Sequence, residues 1–325
     1  MRKALFVGIN HYARAKCLKG CIDDAICMYK SLSVNEDGSP NFEGRLLLSV
    51  DSEGKERMVT QHDLRSAVDQ LFAGNPDVAL LYFSGHGSID KYSTYLCTSE
   101  TAYPRDAVSL REIMDIAELS QAKHKIIILD CCHSGGAGSS QKYANISTLP
   151  NNTTILAASR DQESSVEIQG QGLFTYLLLN ALEGSAMDIM GNITPASVYS
   201  YIERSLGAWE QRPVFKTNID QIICLKKHSA KIDYNHLRQI PRLFRDPMEP
   251  LQLDPSYEVD KRNVEDKTRN PEHEADMVIL RKLNGLDLVV PVGEEYMYMA
   301  AVNYKACKLT PLGIYYWTLL DKQRI

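Results

Sequence analysis

Long apolar runs are missing from this sequence. No segment approaches the ~20 consecutive apolar residues that a membrane-spanning helix needs, so no membrane partner is expected. The opening Met1-Arg2-Lys3 leads into Ala4-Leu5-Phe6-Val7-Gly8-Ile9, an apolar stretch too short for an export signal and without a small-residue cleavage site. It reads instead as a first strand. The 8 cysteines include no CxxC pair, which removes the commonest zinc-ribbon spacing. Without an export signal they suit a reducing cytoplasm better than a disulfide framework. Neither internal repeats nor low-complexity tracts are present. An excess of positive charge is also absent: 36 Lys and Arg face 41 Asp and Glu, for a formal charge of −5. Nothing in that balance favours nucleic acid or an anionic membrane surface.

The acid is unevenly spread. Residues 1–225 carry 20 Lys and Arg against 26 Asp and Glu, whereas 226–325 carry 16 against 15. The first segment therefore suits a site that receives basic substrates. It also alternates short β-rich runs with helical patterns, the signature of an α/β fold around a mostly parallel sheet flanked by helices. Strands are expected at Lys3–Ile9, Leu46–Val50, Val78–Phe83, Lys125–Leu129, Thr153–Ala158 and Ile219–Leu225. Between them, Asp23–Leu32 repeats its apolar residues with helical period, and Thr60 caps a second such helix. Ser109-Leu110-Arg111-Glu112 is a capping-box pattern, and Thr194-Pro195 places a cap before a first-turn proline. Leu173–Leu182, apolar all round, reads as a buried helix ending at Gly184. Residues 226–273 are rich in Pro, Asp, Arg, Lys and Asn and read as a linker. Residues 274–325 read as a small C-terminal α/β module.

Two strand ends carry the chemistry. Leu80-Leu81-Tyr82-Phe83 runs into Ser84-Gly85-His86-Gly87, and Ile126-Ile127-Ile128-Leu129 runs into Asp130-Cys131-Cys132-His133-Ser134-Gly135-Gly136. Ligands of open α/β sheets bind beyond the carboxyl ends of the strands, so both turns should line one crevice. A thiol becomes a competent nucleophile as a thiolate, which a nearby imidazole promotes. The same imidazole can then protonate a departing amine and activate water. Backbone N–H groups of a glycine-rich turn can hold an oxyanion. A zinc site from Cys131, Cys132 and His133 is disfavoured, because consecutive side chains on an extended chain diverge.

Tyr82-Phe83-Ser84-Gly85-His86-Gly87 and Asp130-Cys131-Cys132-His133-Ser134-Gly135 resemble the paired signatures of the caspase-like cysteine peptidase family, especially its metacaspase and bacterial orthocaspase branch. Further matches follow in the family's order across residues 1–225: Val7-Gly8-Ile9-Asn10 with Tyr12, Leu18-Lys19-Gly20-Cys21-Ile22-Asp23-Asp24-Ala25, Leu156-Ala157-Ala158-Ser159 and Gly172-Leu173-Phe174-Thr175-Tyr176. The resemblance implies a caspase-like sandwich with His86 as general base. It implies Cys132 as nucleophile, because that residue directly precedes His-Ser-Gly, and leaves Cys131 structural. The backbone N–H groups of Gly87 and Cys132 would form the oxyanion hole. Asp24, Asp130, Cys21 and Ser84 match the pocket that selects Arg or Lys at the cleaved bond. Two carboxylates there would suit a substrate guanidinium. Asp24 also fits a plainer reading, as an acid at a solvated helix start. The family's acidic calcium cluster is not evident in Ala137–Asn145, so neither a metal nor any other cofactor is expected.

The resemblance further implies protein substrates, a regulated role in stress or antiviral defence, and in some relatives an activating protein partner. Lys142, the only Lys or Arg between His133 and Asn152, is a candidate self-cleavage point, with an uncut loop as the alternative. A catalytically silent adaptor that keeps the fold for interaction is the competing function. Leu309-Thr310-Pro311-Leu312-Gly313 with Tyr315-Tyr316-Trp317 faintly resembles the last helix and wing of a winged-helix module. Its near-neutral charge argues against DNA and for recruitment, dimer contact or control of access. The aromatic cluster serves equally well as that module's own core.

Overall fold

Strands that are apolar at every position must be covered on both faces, and the central strands of this chain are of that kind. The computed structural model describes residues 1–89, 93–131, 149–158, 167–168, 171–207, 212–260 and 269–325. Two compact units divide at Ser229 and Ala230.

The first unit runs β1 (Arg2–Gly8), α1 (Cys21–Ser33), β2 (Glu43–Leu48), α2 (Gln61–Phe72), β3 (Val78–Gly85), α3 (Leu110–Leu119), β4 (His124–Cys131), β5 (Thr153–Ala157), α4 (Leu173–Asn180), α5 (Pro195–Ser205) and β6 (Val214–Asn218). Its six-stranded sheet has the order β6-β5-β4-β3-β1-β2. The strands β2, β1, β3, β4 and β5 are mutually parallel, and β6 closes one edge antiparallel to β5. This is the expected α/β sheet flanked by helices. Period-two alternation sorts the side chains. Leu5, Val7, Leu81, Phe83, Ile127 and Leu129 pack under α2 and α3. Phe6, Leu80, Tyr82, Ile126 and Ile128 pack under α1, α4 and α5.

One expected strand is displaced. The sequence reading put the last strand at Ile219–Leu225, but the strand lies at Val214–Asn218. Ile222 is 82% exposed, and of the apolar run that suggested a strand only Leu225 is fully buried, against the α1, α4 and α5 side of the core. Among the expected caps, Thr60 accepts from the Asp63 N–H, and Thr194 accepts from the Ser197 N–H with Pro195 in the first turn. Ser109 accepts from the Arg111 and Glu112 N–H groups. The reciprocal half of that box is replaced, because Glu112 instead forms a two-bond ion pair with Arg65 of α2, at 2.6 and 3.0 Å.

Helix α1 begins after Gly20, which offers no side chain to cap it. Asn10 does so from the preceding loop: its Oδ1 accepts from the Cys21 and Ile22 N–H groups at 3.0 and 3.4 Å, and its Nδ2 donates to the Lys19 carbonyl at 2.9 Å. Gly8 lets the helix come this close to β1. A methyl group there would sit 2.4 Å from the Cys21 carbonyl oxygen.

The second unit, Ala230–Ile325, includes three further strands, β7 (Leu251–Gln252), β8 (Val289–Val292) and β9 (Ala306–Leu309), which form an antiparallel sheet in the order β7-β9-β8. It also carries α6 (Pro271–Asn284), α7 (Met297–Val302) and α8 (Pro311–Asp321). Residues 230–260, whose composition reads as linker, belong to this unit and bury Leu237, Ile240, Phe244 and Tyr257 in it. The buried Glu258 carboxylate is held by Arg281 Nη2 at 2.7 Å from each oxygen. Of the C-terminal aromatics, Tyr316 is buried, Tyr315 is exposed, and Trp317 Nε1 donates to the Phe244 carbonyl at 2.7 Å.

Candidate active site

His86 follows directly on β3 and is held at three points. Its backbone N–H donates to the Tyr12 hydroxyl at 2.8 Å, and its carbonyl accepts from the Cys97 N–H at 3.0 Å. Its ring Nε2 lies 2.7 Å from the Lys16 carbonyl oxygen. A carbonyl can only accept, so Nε2 carries the hydrogen and, in the neutral ring, Nδ1 carries the lone pair. The imidazole also packs on the Tyr12 ring, with centroids 4.6 Å apart and planes at 57°. Burial pushes the Tyr12 phenol well above its ordinary pKa, so it stays neutral and its oxygen can serve His86 as acceptor.

Gly85 accommodates this arrangement. A Cβ on it would fall 2.6 Å from the Tyr12 hydroxyl oxygen. Gly87 then opens a short strand, Gly87–Ile89, that pairs antiparallel with Thr94–Leu96.

The parallel register of β3 and β4 sets Ser84 opposite Asp130 and Gly85 opposite Cys131. In the sequence His86 follows Gly85, and Cys132 follows Cys131. Cys132 itself, like Lys142, lies outside the described residues. Cys131 is buried in the core beneath α2 and α3.

The acidic residues gather on the opposite face. Asp24 and Asp130 are only 2% and 4% exposed, and Ser84 and Cys21 are buried beside them. The Ser84 hydroxyl donates to Asp24 Oδ2 at 3.2 Å. The Thr175 hydroxyl, in the first turn of α4, donates to Asp130 Oδ2 at 2.6 Å, and Tyr82 Oη lies 2.6 Å from the same Thr175 oxygen. Burial, followed by the charges of Asp24 and Asp130, holds the Tyr82 phenol well above its ordinary pKa. Both carboxylates therefore act on one neutral phenol, with Cys21 adding a smaller effect in the same direction. Burying acids this deeply is costly unless hydroxyl or N–H donors meet them.

The structure thus brings Asp24, Asp130, Ser84 and Cys21 together and sets His86 at the end of the strand paired with β4. Tyr12, Thr175 and Tyr82 stand inside motifs that the sequence reading matched, but without an assigned part. Lys16 contributes only a backbone oxygen and leaves no side-chain signal. Among the described residues no group of three or more His, Cys, Asp or Glu is arranged to hold a metal ion. No helix among them is long and apolar enough to cross a membrane.

Comparison with known proteins agrees with this geometry. The caspase domain family matches residues 1–230, and the chain belongs to that family. It is 30% identical over 152 residues to metacaspase-3 of Arabidopsis thaliana, covering 41% of this chain and 40% of that protein. It is 27% identical over 197 residues to metacaspase-1B of Aspergillus oryzae, covering 56% and 46%. Against metacaspase-1 of Plasmodium falciparum it is 28% identical over 149 residues, covering 42% and 24%. The matched region spans between about a quarter and a half of these relatives.

Proposed function

We propose that this chain is a cysteine endopeptidase that cleaves proteins after Arg or Lys. His86 Nδ1 takes the Cys132 thiol proton, and the thiolate sulfur bonds to the scissile carbonyl carbon. Backbone N–H groups of Gly87 and Cys132 hold the resulting oxyanion. The imidazolium then gives its proton to the leaving amine as the C–N bond breaks, which leaves an acyl-enzyme. Nδ1 next accepts a proton from water as the hydroxide adds to the acyl carbon; the C–S bond then breaks, the carboxylic acid product leaves, and the imidazolium returns its proton to the Cys132 thiolate. The carboxylates of Asp24 and Asp130 receive the substrate's cationic side chain.

The observation that carries this reading is the bond from His86 Nε2 to the Lys16 carbonyl, which supports it by leaving the lone pair of the neutral ring on Nδ1. The buried acid pair supports the preference for basic residues, since an anionic side chain would meet two like charges. A regulated role in stress or antiviral defence, an activating partner and self-cleavage after Lys142 complete the proposal. They rest on the family resemblance.

The test is hydrolysis of fluorogenic peptides ending in Arg, Lys or Asp. Arg and Lys peptides should turn over and the Asp peptide should not. Cys132→Ala and His86→Ala should each lower kcat/KM by at least about a thousandfold, while Cys131→Ala stays near wild type. Cleavage of the Asp peptide would overturn the specificity. Loss of activity in Cys131→Ala with retention in Cys132→Ala would overturn the choice of nucleophile. No turnover of any peptide, across calcium and candidate partners, would favour the silent adaptor.

A further inference from the structure

The two buried acids receive different hydroxyl donors. Asp24 receives the Ser84 hydroxyl at 3.2 Å, whereas Asp130 receives the Thr175 hydroxyl at 2.6 Å with Tyr82 behind it, also at 2.6 Å. The direction of the second chain follows by elimination. A carboxylate oxygen accepts, and a threonine hydroxyl has a single proton, which goes to Asp130. The Thr175 oxygen must then accept, so the Tyr82 O–H donates to it. Tyr82 and Thr175 are both fully buried, so water does not compete for either bond. Donors aligned in series in a dry setting strengthen one another, and the terminal bond to a carboxylate is of the short, charge-assisted kind.

We infer that the Tyr82–Thr175 hydroxyl relay is a specificity-determining device: it fixes the plane of the Asp130 carboxylate and thereby sets a preference for arginine over lysine. The inference rests on Asp24 and Asp130 being the pocket for a basic side chain. A guanidinium is a planar fork whose parallel N–H groups need a carboxylate in a defined plane. An ammonium is a compact charge with rotatable donors and tolerates a carboxylate that turns. Loosening Asp130 therefore penalises arginine more than lysine. Thr175 and Tyr82 touch neither the reacting bond nor the cation. They act through Asp130 and are positioning residues.

The experiment compares wild type, Thr175→Val, Thr175→Ser and Tyr82→Phe on matched Arg- and Lys-terminated fluorogenic peptides, with urea denaturation to confirm folding. Thr175→Val should raise KM for the Arg peptide about tenfold and for the Lys peptide about threefold or less, with kcat within about twofold for both. Thr175→Ser keeps the donor and should retain the wild-type ratio. Tyr82→Phe removes only the outer donor and should shift the ratio in the same direction by a smaller factor. Equal loss on both peptides, a fall confined to kcat, or an unchanged ratio in folded Thr175→Val would overturn the relay.

Calorimetric binding of agmatine and cadaverine, which share one ammonium end and differ in carrying a guanidinium or a second ammonium at the other, without a scissile bond, separates this inference from the proposed activity. If wild type cleaves nothing yet binds agmatine more tightly than cadaverine, and Thr175→Val narrows that difference, the relay stands and the peptidase reading fails. If wild type binds neither amine, the pocket reading fails and the relay falls with it.

Discussion

A methyl group at Gly85 would lie 2.6 Å from the Tyr12 hydroxyl oxygen and 3.0 and 3.2 Å from two atoms of the Phe83 ring. The first contact is roughly 0.8 Å short of an ordinary carbon–oxygen approach. Phe83 is fully buried and cannot swing away, so the strain in Gly85→Ala falls on Tyr12. Withdrawal by that amount stretches the 2.8 Å bond from the His86 N–H beyond hydrogen-bonding range. Overpacking costs about 1–3 kcal/mol and the lost bond about 1 kcal/mol, so the fold should weaken by about 2–4 kcal/mol. Activity should fall further than stability explains, because a shift of about 1 Å at His86, the proposed base, costs up to about a hundredfold in kcat.

Tyr12→Phe removes the acceptor without crowding and should cost about 1 kcal/mol with a smaller loss of kcat and an unchanged KM. In the double variant the methyl no longer meets an oxygen. Its destabilisation should therefore fall short of the sum of the single variants by about 1–2 kcal/mol. Urea denaturation at constant m, with kcat/KM on an Arg peptide, reads both quantities. Strict additivity, or wild-type kcat in folded Gly85→Ala, would refute the coupling of Gly85, Tyr12 and His86.

Gly8→Ala tests the seat of α1. Its Cβ would meet the Cys21 carbonyl oxygen at 2.4 Å and the Ala25 Cβ at 2.9 Å, and backbone cannot step aside as a side-chain tip can. The expected loss is at least about 3 kcal/mol in urea denaturation, and a loss under about 1 kcal/mol would show that α1 is free to shift. His124 gives a pH dependence. Partial burial, then the charges of Lys123 and Lys125, holds its imidazole below the ordinary value of 6.5. The unfolded chain thus binds a proton at a higher pH than the native one does. Stability should decline as pH falls through about 6.5 toward the native value, and His124→Gln should flatten the urea midpoint between about pH 7.5 and 5.5. An unchanged slope in that variant would refute the assignment.

The sheet was legible because β1, β3 and β4 are apolar on both faces, a pattern with few other solutions in an α/β chain. The site's polar members on the strands were legible for a related reason. Ser84 and Asp130 each end an apolar run, and a polar residue at that point stands out. Their supports were hidden. Thr175 meets Asp130 across 45 positions and Tyr12 meets His86 across 74, and in sequence both look like ordinary residues of a helix start and a loop. Lys16 acts through its backbone oxygen, which every residue possesses. The strand at Val214–Asn218 was missed because Lys216 and Thr217 made it look polar, while Ile219–Leu225 looked apolar. An antiparallel edge strand tolerates the first pattern, and exposure of Ile222 shows that the second buries less than its composition suggests. Over 230–260 the density of Pro and charge concealed apolar residues spaced too irregularly to show a period.

Register explains how the proposed binding and chemistry can share one strand end without interfering. On β4, Ile126, Ile128 and Asp130 point toward α1 and α4, while Ile127, Leu129 and Cys131 point toward α2 and α3. On β3, Tyr82 and Ser84 face the first set, while Phe83 and the open side of Gly85 face the second, where Tyr12 lies. The acids therefore gather on one face and the support for His86 on the other, separated by a single residue on each strand. A slip of one residue between β3 and the layers above it would bury Phe83 and Leu81 among the carboxylates and turn Ser84 away from Asp24. The core forbids such a slip, because the six buried apolar residues Val78–Phe83 would each exchange an apolar partner for a mismatched one. Hydrophobic packing along the sheet thus decides which strand positions carry Ser84, Asp130 and the start of the His86 turn, and the hydroxyls of Thr175, Ser84 and Tyr12 then hold the groups gathered there.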